Sequence, residues 1–126
     1  MKGKGVMIFW LILLALIVGG FGASFYVKTL PGKYDGLAQC LTDKGAKFYG
    51  AFWCPHCQEQ KRMFGNSVKL LPYVECSEAD QKTQTPICIE KKIVQYPTWE
   101  FADGSRLTGE QKPEDLATKA GCELPK

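Results

Sequence analysis

Lys47-Phe48-Tyr49-Gly50-Ala51-Phe52-Trp53-Cys54-Pro55-His56-Cys57 joins a run of aromatic and small residues to a Cys-x-x-Cys pair. From Ala46 to Trp53 no polar residue alternates with the apolar ones past Lys47, which is the pattern of a buried strand. Pro55 suits the first turn of a helix, where its missing N–H costs nothing. Gln58 to Phe64 is good helix-forming sequence, and Gly65-Asn66 is its stop. A strand that runs through Cys54 directly into a helix predicts an α/β arrangement with both sulfurs at the helix start.

Upstream, Tyr34 to Lys44 reads as a helix with Leu37, Ala38, Cys40 and Leu41 on one side and Gly45 as its stop. Downstream, Leu71 to Cys76 reads as a strand, Ser77 to Pro86 as a polar loop and Ile87 to Lys92 as a short helix. Thr98 to Phe101 and Ser105 to Thr108 are strands joined by an Asp103-Gly104 turn. Pro113-Glu114-Asp115 opens a last helix that Gly121 ends. The order predicts a mixed sheet closed by an antiparallel hairpin and flanked by helices.

The N-terminus is of another kind. Gly5 to Val27 carries no charged side chain, and Lys2, Lys4 and Lys28 flank it. As a helix it spans about 34 Å, enough for a bilayer core. A cleaved signal peptide is the rival reading, supported by the small residues Gly19, Gly20, Gly22 and Ala23. The apolar run continues through Phe25, Tyr26 and Val27, which favours an uncleaved anchor. The chain thus divides into an anchor or signal peptide over 1–28, a tether over 29–33 containing Pro31-Gly32, and one domain over 34–126. Of the 16 basic and 13 acidic residues, Lys2, Lys4 and Lys28 account for the whole excess of +3. The domain is therefore balanced, with no basic face for nucleic acid.

All six cysteines (Cys40, Cys54, Cys57, Cys76, Cys88 and Cys122) follow the apolar run. That density points to an oxidising compartment and places the domain on the extracytoplasmic side of the membrane.

Two residues between cysteines at a helix start bring the sulfurs within bonding reach, and a thiolate there meets unpaired backbone N–H groups. Cys54 is expected to be the exposed attacking thiol and Cys57 the buried resolving one. Pro55 and His56 tune the pair: an imidazolium beside Cys54 supports its thiolate, which favours the reduced form and makes the disulfide more oxidising. The expected potential lies toward the oxidising end of the range from about −270 mV to about −120 mV. A solvated surface side chain is the plainer reading of His56. A zinc site over Cys54, Cys57, Cys76 and Cys88 is the rival use of the sulfurs, but a zinc ribbon wants a second tight Cys-x-x-Cys, which is absent. No metal and no cofactor are expected.

Trp-Cys-x-x-Cys after a strand, then Tyr96-Pro97-Thr98 and an Asp-Gly hairpin, resembles the thioredoxin family. A nearer resemblance is to the thioredoxin-like domains associated with bacterial and plant vitamin K epoxide reductase homologues. It rests on Lys44-Gly45-Ala46, Phe48 through Cys57, Gln60-Lys61, Phe64-Gly65, Tyr73-Val74-Glu75-Cys76, Tyr96-Pro97-Thr98-Trp99 and Gly109-Glu110. It implies a thioredoxin-like fold and a thiol oxidase that introduces disulfides into cysteine-containing exported polypeptides. The implied partner is a quinone-linked membrane reductase that reoxidises the dithiol. It also implies a cis bond before Pro97, beside the dithiol, and a substrate groove made by the Tyr96 backbone with Trp53 as apolar wall. Phe52 and Trp99 are expected in the core.

Two departures stand out: Phe48 occupies the place of a buried acid common in thioredoxins, and a helix replaces the usual leading strand. The missing acid argues against an efficient reductase, yet reductase or isomerase remains the alternative enzyme, and a metal-binding or chaperone-like module the non-enzymatic one.

In the resembling domains a cysteine pair also occupies the region of Cys76 and Cys88. This implies a disulfide there, either a structural staple or a second redox pair. Cys40 and Cys122 are the remaining two. Either they bond, tying the first helix of the domain to the last, or they stay as free buried thiols.

Overall fold

The computed structural model describes residues 2–126, in two units that divide between Leu30 and Pro31. The first is a single helix, α1 (Lys2–Thr29), apolar around its circumference and long and apolar enough to cross a membrane. Its apolar side chains, such as Leu14, Leu16 and Phe21, are exposed within this unit.

The second unit contains α2 (Asp35–Asp43), β1 (Lys47–Gly50), α3 (Pro55–Phe64), a 3₁₀ turn (Gly65–Leu70), β2 (Tyr73–Glu75), α4 (Pro86–Glu90), β3 (Thr98–Glu100), β4 (Arg106–Thr108) and α5 (Pro113–Ala120). The strands form one sheet in the order β2-β1-β3-β4, with β1 parallel to β2 and the other pairings antiparallel. This is the expected thioredoxin-like α/β architecture. With no leading strand, β2 forms an edge of the sheet.

Register explains the core. Phe48 lies opposite both Tyr73 and Trp99, so three aromatic residues cross the sheet on one face. Phe48 stacks on Trp99 with ring centroids 4.8 Å apart and meets Tyr73 edge-on at 5.1 Å. Against this face pack Leu37, Ala38 and Leu41 of α2, Cys57 and Phe64 of α3, and Leu116 and Ala117 of α5. Residue 48, where an acid would stand in common thioredoxins, is thus a fully buried aromatic core position. Tyr49 points to the other face and joins Cys76, Cys88 and Ile93 in a smaller core.

Local chemistry sets the helix ends. Pro113 opens α5, with Glu114 and Asp115 in its first turn, near the positive end of the helix dipole. Gly121 closes it in the left-handed region (φ 66°, ψ 42°), and the Cys122 N–H reaches back to the Ala117 carbonyl. As expected, α3 ends at Phe64 with Gly65 as its C-cap at positive φ, and the chain then tightens into the 3₁₀ turn. Its Ser67 accepts a hydrogen bond from the Tyr34 N–H. The end of the tether is therefore pinned to the domain.

Candidate active site around Cys54 and Cys57

Strand β1 ends at Gly50, three residues earlier than its apolar run, and residues 51–53 turn the chain into α3. Cys54 takes the N-cap position with extended dihedrals, and Pro55 is the first helical residue. The Cys54 N–H bonds the Ala51 carbonyl, and the Cys54 carbonyl accepts from the Gln58 N–H. Glu75 ties the turn to β2: its Oε1 accepts from the Phe52 and Ser77 N–H groups at 3.2 and 3.0 Å, and its Oε2 from the Tyr73 hydroxyl at 2.7 Å.

Cys57 is fully buried. Cys54 is only 7% exposed, well short of an open nucleophile, with the Tyr96 backbone set against its sulfur. The Tyr96–Pro97 peptide bond is cis, and the Tyr96 carbonyl lies 4.0 Å from the Cys54 sulfur. The Trp53 and Tyr96 rings meet edge-on at 6.4 Å, and the Trp53 indole N–H donates to the Ser77 hydroxyl at 2.7 Å. Trp53 therefore stands half-exposed beside the sulfur with its polar end anchored. Trp99 is in the core, but Phe52 is not: it is 40% exposed on the turn, since β1 has already ended and no sheet partner covers it.

His56 differs from expectation in its partner. Its Nδ1 lies 2.7 Å from Glu110 Oε1, with the imidazole largely in solvent, rather than bonding the Cys54 sulfur. Buried Gln60 holds the Glu110 segment in place. Its side chain donates to the Gln111 carbonyl at 2.9 Å and accepts from the Gln111 N–H at 2.7 Å and the Trp99 indole at 3.3 Å.

On the inner side, Cys57 packs against the strand backbone. A Cβ placed on Gly50 would lie 2.8 Å from the Cys57 sulfur and 3.0 Å from Tyr73 Cε2, so only glycine fits there. Burial pushes the Cys57 thiol up to about 12, partly opposed by the Ala51 N–H and the Lys61 charge, while Cys54 pushes it further up. Tyr73 is also raised, by burial first and then by its bond to Glu75.

The other four cysteines are bonded as Cys40–Cys122 and Cys76–Cys88. Cys76 and Cys88 are fully buried in the second core, and as partners of each other they offer no thiolates to a zinc ion. Among the described residues, Cys54 and Cys57 are the two free thiols.

In the sequence, Gln60, Lys61, Glu75 and Glu110 count only as carriers of the resemblance and Ser77 only as the start of a polar loop; none has an assigned place in the site. Lys61 alone carries a local signal, being one helical turn beyond Cys57. The others reach the site through strand register and loop docking.

No family model matches the chain. Over 92 residues it is 46% identical to the thiol-disulfide oxidoreductase LTO1 of Arabidopsis thaliana, covering 70% of this chain and 24% of that protein. The chain spans about a quarter of that protein's length.

Proposed function

We propose that this chain is a membrane-tethered thiol–disulfide oxidoreductase that works as a thiol oxidase on cysteine-containing exported polypeptides. The observation that carries it is the placement of the two free thiols: Cys54 caps α3 beneath the Tyr96 carbonyl, and Cys57 lies one turn inward. The similarity to a plant thiol-disulfide oxidoreductase supports the chemistry.

In the oxidising direction, a substrate thiolate attacks the Cys54 sulfur of the Cys54–Cys57 disulfide. The S–S bond breaks, a mixed disulfide forms on Cys54, and Cys57 leaves as a thiolate. A second substrate thiolate attacks the substrate sulfur of the mixed disulfide and releases Cys54. The substrate has then lost two electrons and two protons, and the dithiol holds them. A membrane quinone reductase of the vitamin K epoxide reductase type is the proposed acceptor. Helix α1 would hold the domain at the extracytoplasmic face. Trp53 and the Tyr96 backbone, beside Cys54, suit an extended chain bound without regard to its sequence.

Two features support the oxidising direction: Phe48 leaves no carboxyl at the usual place to take the Cys57 proton for reductase work, and His56 follows Cys54 by two residues at the start of α3, its Nδ1 paired with Glu110. Complete burial of Cys76 and Cys88 favours a staple over a relay, because exchange requires an accessible sulfur. The test is the redox state of Cys54 and Cys57 in living cells, by acid quenching and alkylation of free thiols. A pair held mostly as disulfide is the expected result. A pair held mostly as dithiol would replace this reading with a reductase or isomerase.

A further inference from the structure

We propose that Lys61 stabilises the Cys57 thiolate that departs when a substrate sulfur opens the Cys54–Cys57 disulfide. The inference rests on the thiol–disulfide chemistry above and concerns a step in either electron direction in which Cys57 carries charge.

The site poses a physical problem. Thiol–disulfide exchange is faster when the leaving sulfur is a weaker base. Cys57 leaves from a fully buried position, where low polarity disfavours its charged form. Without a compensating charge it would be a poor leaving group.

Three observations place that charge. Lys61 follows Cys57 by four residues in α3, so both side chains project from the same side of the helix. The Lys61 ammonium lies over the Tyr73 ring, 3.5 Å from its centroid. The edge of that ring and the Cys57 sulfur flank one point, the vacant Cβ position of Gly50. Tyr73 thus carries the ammonium on its ring face and turns one ring edge toward the Cys57 sulfur. Among the described residues Lys61 forms no ion pair, so no carboxylate neutralises it.

The titratable groups acting on or beside Cys57 are Cys54 and Lys61 from α3 and Tyr73 from β2, whose hydroxyl is bonded to Glu75. Glu75 is held by three donors, and His56 is engaged outside by Glu110. Lys61 is therefore the cation directed at the leaving sulfur. It acts through Cys57 and touches no substrate.

The test is the rate at which reduced glutathione opens the Cys54–Cys57 disulfide in the full chain in detergent, with the glutathione equilibrium constant measured alongside. For Lys61→Met the rate should fall about 5- to 10-fold. The equilibrium constant should stay within about twofold, because Cys57 ends as a neutral thiol in both proteins near pH 7. Lys61→Arg should restore most of the rate. In a Cys54→Ala background, Lys61→Met should also move Cys57 alkylation to higher pH. Unfolding midpoints of Lys61→Met and Lys61→Gln show whether each variant is folded.

An unchanged rate in a folded Lys61→Met protein would overturn the proposal. So would a slower rate matched by an equal shift in equilibrium, which is the mark of a general structural effect. If the unaltered protein fails to exchange with glutathione at all, the oxidoreductase reading itself falls, and this inference with it.

Discussion

Gly50→Ala tests the packing of the dithiol against β1. The added methyl carbon would lie 2.8 Å from the Cys57 sulfur and 3.0 Å from Tyr73 Cε2, so at least one of them must shift. Neither moves cheaply. Cys57 is fixed by α3, and the Tyr73 ring is fixed by the Phe48 ring, its bond to Glu75 and the Lys61 ammonium. Overpacking of this kind costs about 1–3 kcal/mol. Alanine in place of glycine within a strand returns roughly 0.5–1 kcal/mol of backbone entropy. Because neither neighbour moves cheaply, the overpacking cost is set at about 2–3 kcal/mol, and the net expectation is a loss of about 1–2 kcal/mol. In urea, with a slope near 1.5 kcal/mol/M, that moves the unfolding midpoint down by about 1 M. The assay is urea unfolding of the full chain in detergent, read by tryptophan fluorescence with the dithiol reduced. The same displacement should slow closure of the disulfide, because Cys57 is pushed out of register with Cys54. Gly50→Val should do both more severely. A Gly50→Ala protein as stable as the parent and as fast to close its disulfide would refute the claimed close approach.

Four further outcomes are expected. Burial raises the Cys57 thiol from 9.0 to about 12, so below pH 9 it costs nothing; between about pH 9 and 12 only the unfolded chain releases the proton, and stability falls. The Cys54→Ala protein, which keeps the burial of Cys57 but not the push from Cys54, should therefore lose stability with rising pH above 9 relative to the Cys54→Ala, Cys57→Ala double variant, and parallel unfolding curves would contradict the burial argument. Removing the Cys40–Cys122 bond, which closes 82 residues, should cost about 4.5 kcal/mol, against about 3 kcal/mol for Cys76–Cys88, which closes 12. Disulfide transfer should survive loss of Cys76–Cys88 in protein that stays folded; its disappearance would make that pair a relay. His56→Ala should shift the Cys54–Cys57 potential toward the reducing side by about 30 mV or more, and an unmoved potential in glutathione buffers would end the tuning argument.

Local chemistry wrote much of this protein directly into its sequence. An uncharged run from Gly5 to Val27 is enough to mark a helix able to cross a membrane, because length and hydropathy are its physical requirements. Pro55, Pro113, Gly121 and the Asp103-Gly104 turn mark element ends because each acts on its own backbone or its immediate neighbours. Cys-x-x-Cys at a strand-to-helix junction locates the dithiol for the same reason. Tertiary structure decided what depends on residues distant in sequence. Phe52, apolar and next to the buried strand, turned out exposed because pairing with β3 stops at Tyr49 and pairing with β2 at Gly50. His56 found Glu110 because Gln60 grips the backbone of Gln111, 51 residues away. Lys61 came to lie over Tyr73, and Glu75 beneath the active-site turn, because β1 pairs parallel to β2 in one register. Such placements arise from the simultaneous packing of separate elements, and no spacing along the chain encodes them.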